Sequence, residues 1–196
     1  SEEQPRIGTT LTYDDMMHVA PSTEHVSLVD AVRHEGLKPG QEYELRGELK
    51  DKESGEVVSS ASTTFVPKTS AGKVDMTFEV DARTLCGKTV VAFEHLYAEG
   101  QEVASHEDMD DAGQTMRFPS IATTCGGADG DHEVSSAGDR VVLKDTVEYH
   151  NLESGKRCEL VGTLYDKTSG QKLTDDYGRE ITALVSFVPE TADGTV

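Results

Sequence analysis

Two acidic residues interrupt apolar patterns at places where the chain is expected to be buried. Asp30 shares the alternating face of the apolar residues in the segment 26–32, and Glu94 directly follows the apolar run at 89–93. A carboxylate at or near a core must be paired or must take up a proton. For Glu94 alone, a strand end turned toward solvent is the alternative. Asp30 is harder to explain in this way, because an acid recurs at the same pattern position as Asp145.

The segments that would position these acids predict β structure throughout. Residues 26–32, 43–49 and 74–80 alternate apolar and polar side chains, and turn residues such as Pro39-Gly40 separate them. Only Ala82–Leu85 suggests a helical turn. Seven or so strands in about 110 residues are typical of an immunoglobulin-like β-sandwich, so the expected fold class is all-β.

An internal repeat organises the chain. Residues 28–55 align without a gap on residues 143–170, at an offset of 115. A period of this length is a whole domain rather than a solenoid unit, which indicates tandem domains. We therefore expect a complete immunoglobulin-like domain at 1–118 and the N-terminal part of a second, homologous domain at 119–196.

The second copy is expected to be truncated. Val196 is the counterpart of Val74, so nothing in the sequence matches residues 75–118 in that copy. A sheet without its last strands exposes unpaired edges. The second copy is therefore expected to be loosely ordered or to be complemented by a strand of another chain.

Charge and composition narrow the classes of function. A net charge of -19 argues against nucleic-acid and anionic-membrane partners, which are bound chiefly by positive charge. No apolar run is long enough to span a bilayer and no signal peptide is recognisable, so targeting and anchoring segments are expected outside this piece. The three cysteines lack metal-site spacing, and thiols are preferred to a Cys125–Cys158 disulfide.

Two motifs carry a resemblance to a known family. Val91-Ala92-Phe93-Glu94 is followed by the segment HEDMDDAGQT at 106–115. Together with Ile7-Gly8-Thr9 and the LVDxV segment around Asp30, this order resembles VaFE-repeat domains with Thr-Gln ester bonds. Such domains occur in the shafts of Gram-positive adhesins. The resemblance covers residues 5–118 and, in truncated form, 119–196.

The resemblance implies a role for each site residue. Thr9 would be the nucleophile on the first strand and Gln114 the electrophile on the last strand. His106 would act as the base, and Asp30 and Glu94 would form an acidic pair beside the bond. No cofactor and no metal are implied.

The residue types suit this chemistry. A threonine hydroxyl does not attack a carboxamide unaided, so an imidazole must take its proton and later protonate the departing ammonia. Two close carboxylates in a poorly solvated site cannot both ionise easily, and the protonated one can donate to the developing oxyanion. Thr9 is preferred to Thr10 and Thr12 because it lies on the same alternating face as Ile7 and Leu11.

His106 is singled out from the other histidines by its position. It precedes Gln114 by eight residues across an expected turn at Asp110–Gly113, so the two flanking strands are expected to run side by side. The other six histidines, His132 among them, are expected at surface or strand positions. The acidic residues at 107–111 are interpreted as a solvated hairpin rather than a calcium loop, because the ligand spacing of such a loop is missing.

The second copy has only part of the site. Thr123 and Asp145 correspond to Thr9 and Asp30, but no residues correspond to Glu94, His106 and Gln114. This copy should not cross-link alone, although a separately supplied strand with the missing motif would complete it.

The resemblance predicts a structural role. The chain would be a stalk segment of an extracellular, cell-wall-anchored adhesin, with single-turnover self-cross-linking instead of enzymatic turnover. Its partners would be neighbouring repeats of the same shaft, with no nucleic acid and no small-molecule substrate. The bond would give the domain mechanical stability.

Three other functions remain open at this stage. A shaft domain could instead hold a Lys-Asn or Lys-Asp isopeptide bond, or act as a plain spacer without a cross-link. A hydrolase using Thr9, His106 and Asp30 would need an open pocket, and no Gly-rich nucleophile elbow is present. A ligand-binding tip module is weakly supported by 6% aromatic residues and no Trp.

Overall fold

A computed structural model describes residues 3–127 and 141–196 of the chain, with residues 124–127 described by their backbone alone. The described part is all-β and contains two short 3₁₀ turns, at Ala82–Thr84 and Ala112–Gln114. Its strands, in chain order, are β1 (Arg6–Thr12), β2 (Val26–Glu35), β3 (Tyr43–Asp51), β4 (Val57–Phe65), β5 (Gly72–Val80), β6 (Thr89–Ala98), β7 (Gln101–His106), β8 (Thr115–Arg117), β9 (Ser120–Gly127), β10 (Leu143–His150), β11 (Cys158–Thr163), β12 (Thr182–Phe187) and β13 (Gly194–Thr195).

The first copy is a sandwich of two antiparallel sheets. One sheet has the order β1-β2-β5, and the other has the order β4-β3-β6-β7, with β8 also paired to β6. The predicted alternation is confirmed: every second residue of β2, from Val26 to His34, is buried. Side chains from both sheets fill the core, including Leu28, Phe78, Leu45 and Leu96. The tandem immunoglobulin-like β-sandwich expected from the sequence is therefore the observed fold.

A tight turn closes the hairpin between β6 and β7. Glu99 and Gly100 have φ values of 51° and 79° and connect β6 to β7. Positive φ at two consecutive positions is typical of the tight turns that match the twist of a hairpin. The 3₁₀ turn at Ala82–Thr84 is the helical turn expected between β5 and β6.

The arrangement of β7 and β8 differs from the sequence prediction. The two strands do not run side by side; both pair with β6, with Glu94 opposite His106 and Val91 opposite Thr115. They follow one another along the same edge of β6, and residues 107–114 form a loop, called the 107–114 excursion below, that leaves this edge between the two strands. Which strand pairs with which depends on long-range contacts, so local turn signals alone did not reveal this arrangement.

Strand β1 brings the start of the domain next to its end. It pairs with β2 so that Thr9 lies opposite Val32 and Leu11 lies opposite Asp30. On its other side it approaches β7 and the turn at Ala112–Gln114. The first strand of one sheet thus lies beside the last segments of the other sheet.

The described part of the second copy repeats the first half of this arrangement. Strands β9, β10 and β13 form one sheet, and β11 and β12 form another. Val147 and Tyr149 are buried, whereas Val161 and Leu184 are 65% exposed. Apolar surface on β11 and β12 is therefore open to solvent in this copy.

Cys158 is a free thiol, and the side chain of Cys125 lies outside the described part.

Among the described residues, no helix is long and apolar enough to cross a bilayer.

Candidate cross-linking site

Thr9 and Gln114 are in direct contact inside the first copy. The Gln114 side-chain amide donates a hydrogen bond to the hydroxyl of Thr9, although the two residues are 105 positions apart. Thr9 is 5% exposed and Gln114 is fully buried, whereas Thr10 and Thr12 are only half-buried. Thr9 lies on β1 of one sheet and Gln114 directly precedes β8 of the other, so this contact bridges the sandwich.

Gln114 does not lie on the last strand, as the resemblance implied, but ends the 3₁₀ turn before β8, and this turn positions its side chain. Asp111 caps the turn: its Oδ1 accepts from the backbone N–H of Gly113 at 2.9 Å. Its carbonyl oxygen accepts from Gln114 N at 3.1 Å and from Thr115 Oγ1 at 2.8 Å. Aspartate is favoured at such caps because its carboxylate satisfies N–H groups that the turn leaves free. The turn therefore points one glutamine inward at the end of an otherwise polar loop.

Asp30 and Glu94 are fully buried, as the interrupted apolar patterns predicted. Their side chains reach the site from different sheets, on β2 and β6. None of their four carboxyl oxygens has a hydrogen-bond donor among the described residues. A proton on one carboxyl group supplies the missing donor for the other, so the pair is best accommodated with one group neutral.

Burial controls the ionisation of this pair. Burial, reinforced by the neighbouring Asp30, raises the pKa of Glu94 to about 10. Burial also raises the pKa of Asp30, opposed by its interactions with Glu94, Thr9 and His106. Thr9 and His106 lie close enough to Asp30 to act on its carboxyl group, so the four side chains belong to one site. Because burial raises both pKa values, the pair retains a proton at neutral pH.

A glycine opposite Glu94 makes room for its carboxyl group. Gly47 pairs with Glu94 across β3 and β6. A Cβ atom at Gly47 would lie 2.6 Å from Glu94 Oε1, 2.7 Å from Oε2 and 2.6 Å from Phe78 Cζ. A side chain at position 47 would force the Glu94 carboxyl group and the Phe78 ring to shift, which accounts for a glycine inside a buried strand.

His106 is held by an acid that the sequence analysis did not assign. Its Nε2 lies 2.9 Å from Asp111 Oδ2, and the His106 contact lowers the pKa of the Asp111 carboxyl. Both side chains are about 30% exposed. Asp111 thus contacts the imidazole with one oxygen and caps the Gln114 turn with the other. The cap preference for aspartate ahead of a short turn was the available signal.

The carbonyl oxygen of the Gln114 side chain is buried and has no hydrogen-bond partner among the described residues. It would gain negative charge if a nucleophile attacked the carboxamide. A buried acceptor without a donor is costly in a resting protein. The site is therefore better matched to a reacting group than to an unreacted amide.

The other acidic residues of the 107–114 excursion make ordinary surface contacts. Glu107 Oε1 lies 2.6 Å from His95 Nε2, and Asp110 Oδ1 lies 3.8 Å from Lys52 Nζ. No group of potential metal ligands occurs among the described residues. His132 lies outside them.

The second copy retains the register of the site but not its burial. Thr123 lies opposite Val147 and Asp145 opposite Cys125, as Thr9 lies opposite Val32 and Asp30 opposite Leu11. Thr123 and Asp145 are nevertheless exposed. The strands that bury Thr9 and Asp30 in the first copy have no counterpart among the described residues of the second.

Comparisons with known proteins agree with this geometry. The family described as T-Q ester bond containing domain matches residues 5–118 and 119–196. No curated protein matches the sequence significantly. Two crystal forms of a bacterial adhesin from Mobiluncus mulieris, which contains intramolecular disulfide, isopeptide and ester bond cross-links, share the fold at 15% sequence identity. The TM-scores are 0.55 and 0.53. The two alignments cover 94% and 98% of this chain and 98% and 96% of the adhesin chains.

Both copies thus match one family, and the first brings a buried threonine and a buried glutamine into contact; the chain belongs to the T-Q ester bond containing domain family.

Proposed function

We propose that the first copy forms an intramolecular ester between Thr9 and Gln114 without any other protein. The observation that carries this proposal is the buried contact between the Thr9 hydroxyl and the Gln114 carboxamide. In the reaction, Thr9 Oγ1 bonds to Gln114 Cδ, the bond from Cδ to Nε2 breaks, and ammonia leaves. Each chain reacts once, so the domain modifies itself and does not turn over a substrate.

His106 is the proposed proton carrier. Asp111 holds its Nε2, which orients the ring and stabilises its protonated form. The other ring nitrogen accepts the proton of Thr9 Oγ1 and later delivers it to the leaving nitrogen of Gln114. This division of roles is similar to acylation by a serine protease that stops at the acyl stage.

The acid pair is proposed to stabilise the tetrahedral intermediate. Glu94 keeps its proton because burial raises its pKa, so the pair retains a hydrogen that it can donate. Donation to Gln114 Oε1 would offset the charge that develops there, in a site from which water is excluded. The same exclusion of water protects the finished ester from hydrolysis.

We further propose that the chain is part of the stalk of a bacterial cell-surface adhesin. The Mobiluncus mulieris protein of similar fold is a bacterial adhesin that contains intramolecular ester bond cross-links. An ester between β1 and the segment before β8 would carry tension across the ends of the domain and spare its interior. The partners would be neighbouring repeats of the same shaft. Strands equivalent to β6–β8, supplied by a further segment, would cover the exposed faces of β11 and β12.

Two of the alternatives fit the described residues less well. An isopeptide bond needs a lysine in the core, but every lysine falls within the described residues and none is buried. A hydrolase needs space for a substrate beside its nucleophile, whereas Gln114 of the same chain fills the space beside Thr9. The self-cross-link accounts for both observations.

Intact mass measurement tests the ester directly. The purified protein should be lighter than its sequence by one ammonia, and Gln114→Ala should have its full sequence mass. Hydroxylamine should open the link in the wild type, whereas an isopeptide bond would survive it. A wild-type protein at full sequence mass would overturn the proposal. A lighter protein that resists hydroxylamine would replace the ester with an amide link.

A further inference from the structure

The junction between the two copies is built from direct side-chain contacts. Strand β8 ends at Arg117 and β9 begins at Ser120, so only Phe118 and Pro119 connect the copies. Phe118 is fully buried in the first copy, and its N–H and C=O bond to Lys88 O and Gly87 N. The hydrogen bonds of Phe118 therefore fix the connection as far as this residue. The ring of Pro119, the next residue in the connection, restricts the φ angle at that position.

One residue of the second copy reaches across this junction. Asn151 directly follows β10, and its Nδ2 donates to Lys88 O at 2.9 Å, Thr89 Oγ1 at 3.1 Å and Phe118 O at 3.4 Å. Its Oδ1 lies 3.3 Å from Thr89 Oγ1. Both polar atoms of the amide thus face the first copy. All three partners belong to the end of the first copy that faces the junction.

Asn151 is also fixed within its own copy. Its backbone N–H donates to Asp193 Oδ1 at 2.9 Å, and the next residue, Leu152, donates its N–H to Ala192 O at 3.0 Å. The Leu152 carbonyl accepts from Arg117 Nη1 at 3.1 Å, a second link across the junction. Because Asn151 is tied to both copies, a rotation of one copy relative to the other would break these hydrogen bonds.

The repeat shows that this side chain is particular to the junction. At the offset of 115, the counterpart of Asn151 is Gly36, and both residues have positive φ, 64° and 73°. A Cβ atom at Gly36 would lie 2.5 Å from the carbonyl oxygen of Gln4, so the first copy has no room for a side chain there. Asparagine is among the few side chains that tolerate this backbone conformation. The second copy therefore has a polar group at a position where the first has none.

We propose that Asn151 is an interdomain clamp that holds the second copy in one orientation against the end of the first. The surface formed by Lys88, Thr89, Arg117 and Phe118 is the docking site, and its partner is the loop after β10 of the next repeat. Small interfaces between domains of one chain usually permit relative motion. The hydrogen bonds of Asn151 restrict that motion. The clamp does not depend on the ester.

Residual dipolar couplings of the whole protein show whether the two copies keep one fixed relative orientation. A single alignment tensor should fit the amides of both copies in the wild type. Asn151→Gly keeps the backbone conformation but removes the side chain, and loss of these bonds should raise the undocked population on the order of tenfold. The second copy should then need its own, weaker tensor. Thr89→Val, which changes only the first copy, should shift the couplings in the same direction.

The matched control is Glu99→Gly, which removes a side chain at another positive-φ position, far from the junction. It should leave one common tensor. The clamp is rejected if wild type already needs two tensors, or if Asn151→Gly still fits one. If Asn151→Gly unfolds the second copy, the Thr89→Val protein provides the test instead. One common tensor for both copies of that variant rejects the clamp, and a separate tensor for the second copy supports it.

Discussion

Gly47 lies directly opposite Glu94 on the neighbouring strand, and the absence of its side chain creates the space that the Glu94 carboxyl group occupies. The buried acid pair therefore depends on a residue that has no functional group of its own. The repeat has a glycine at the corresponding position of the second copy, Gly162, where a Cβ atom would meet nothing within 4 Å.

Gly47→Ala should slow or prevent cross-linking. The methyl group would displace the Glu94 carboxyl from the acid pair and press on Phe78, with a cost of about 1 to 3 kcal/mol in stability. The cross-linked fraction is measured by intact mass as a function of time after refolding. Gly162→Ala is the matched control and should cross-link at the wild-type rate. Equal rates for the two variants would show that Gly47 does not position Glu94.

Asp111→Asn should reduce the rate of ester formation while leaving the fold intact. Asparagine can still cap the turn before Gln114, but it no longer supplies the negative charge that stabilises protonated His106. A loss on the order of 10²-fold or more is expected from the usual contribution of a positioned acid–base group. The rate of ammonia release after refolding is the measurement.

Asp108→Asn, in the same excursion and exposed, is the control for this change. Asp108 accepts hydrogen bonds from Asp110 N and Asp111 N in the backbone of its own loop, whereas the ion pair of His106 is with Asp111. If both variants lost activity equally, the effect would come from loop structure instead of the His106 contact.

The stability of the unlinked domain should fall as the pH rises above the ordinary pKa of glutamate. Folded Glu94 keeps its proton up to about pH 10, while the unfolded chain releases it near 4.5. Between these values the folded state binds more protons, so stability is greatest at low pH and is lost toward pH 10. The slope is up to about 1.4 kcal/mol per pH unit for one proton. Urea unfolding of Thr9→Val across this range measures it.

Adding Glu94→Gln to Thr9→Val isolates the contribution of this carboxyl group. The amide of glutamine cannot ionise. The stability of Thr9→Val relative to the double variant should therefore be greatest at low pH and should fall as the pH rises toward 10. A constant difference from pH 5 to 9, within the range set by the two pKa values, would mean that Glu94 is ionised in the folded domain.

Opening the ester should lower the stability of the first copy by about 4 to 5 kcal/mol, by analogy with a disulfide that closes a loop of this length. Comparing the protein before and after hydroxylamine keeps nearly every side chain unchanged. Pulse proteolysis in urea reports the unfolding of the first copy separately by its fragments. Gln114→Ala treated in the same way controls for the reagent, and a change below about 1 kcal/mol would contradict the loop-closure estimate.

The sequence was informative where a strict local pattern applied. Asp30 could be placed in the core because residues of a strand alternate between two faces, so its apolar neighbours define its direction. The same rule favoured Thr9 over Thr10 and Thr12 as the nucleophile. Asp111 could not be placed in this way, because it lies in a loop whose direction is set by capping and by the position of His106.

The order of β7 and β8 was also beyond local reasoning. A turn at Asp110–Gly113 suggested a hairpin, but β6 is long enough to pair with both strands in succession. Gly47 had a visible signal, since a glycine within an alternating buried face often marks a close approach. The group that approaches it comes from β6, far along the chain, and only the three-dimensional structure identifies it.

The 105-residue separation of Thr9 and Gln114 also sets how far the first copy can lengthen if it unfolds under tension. An unlinked domain that unravels releases this segment, which at about 3.5 Å per residue adds roughly 350 Å of reach. With the ester closed, only the few residues outside Thr9 and Gln114 can extend. In the stalk role proposed above, such a domain would act as a spacer of constant length.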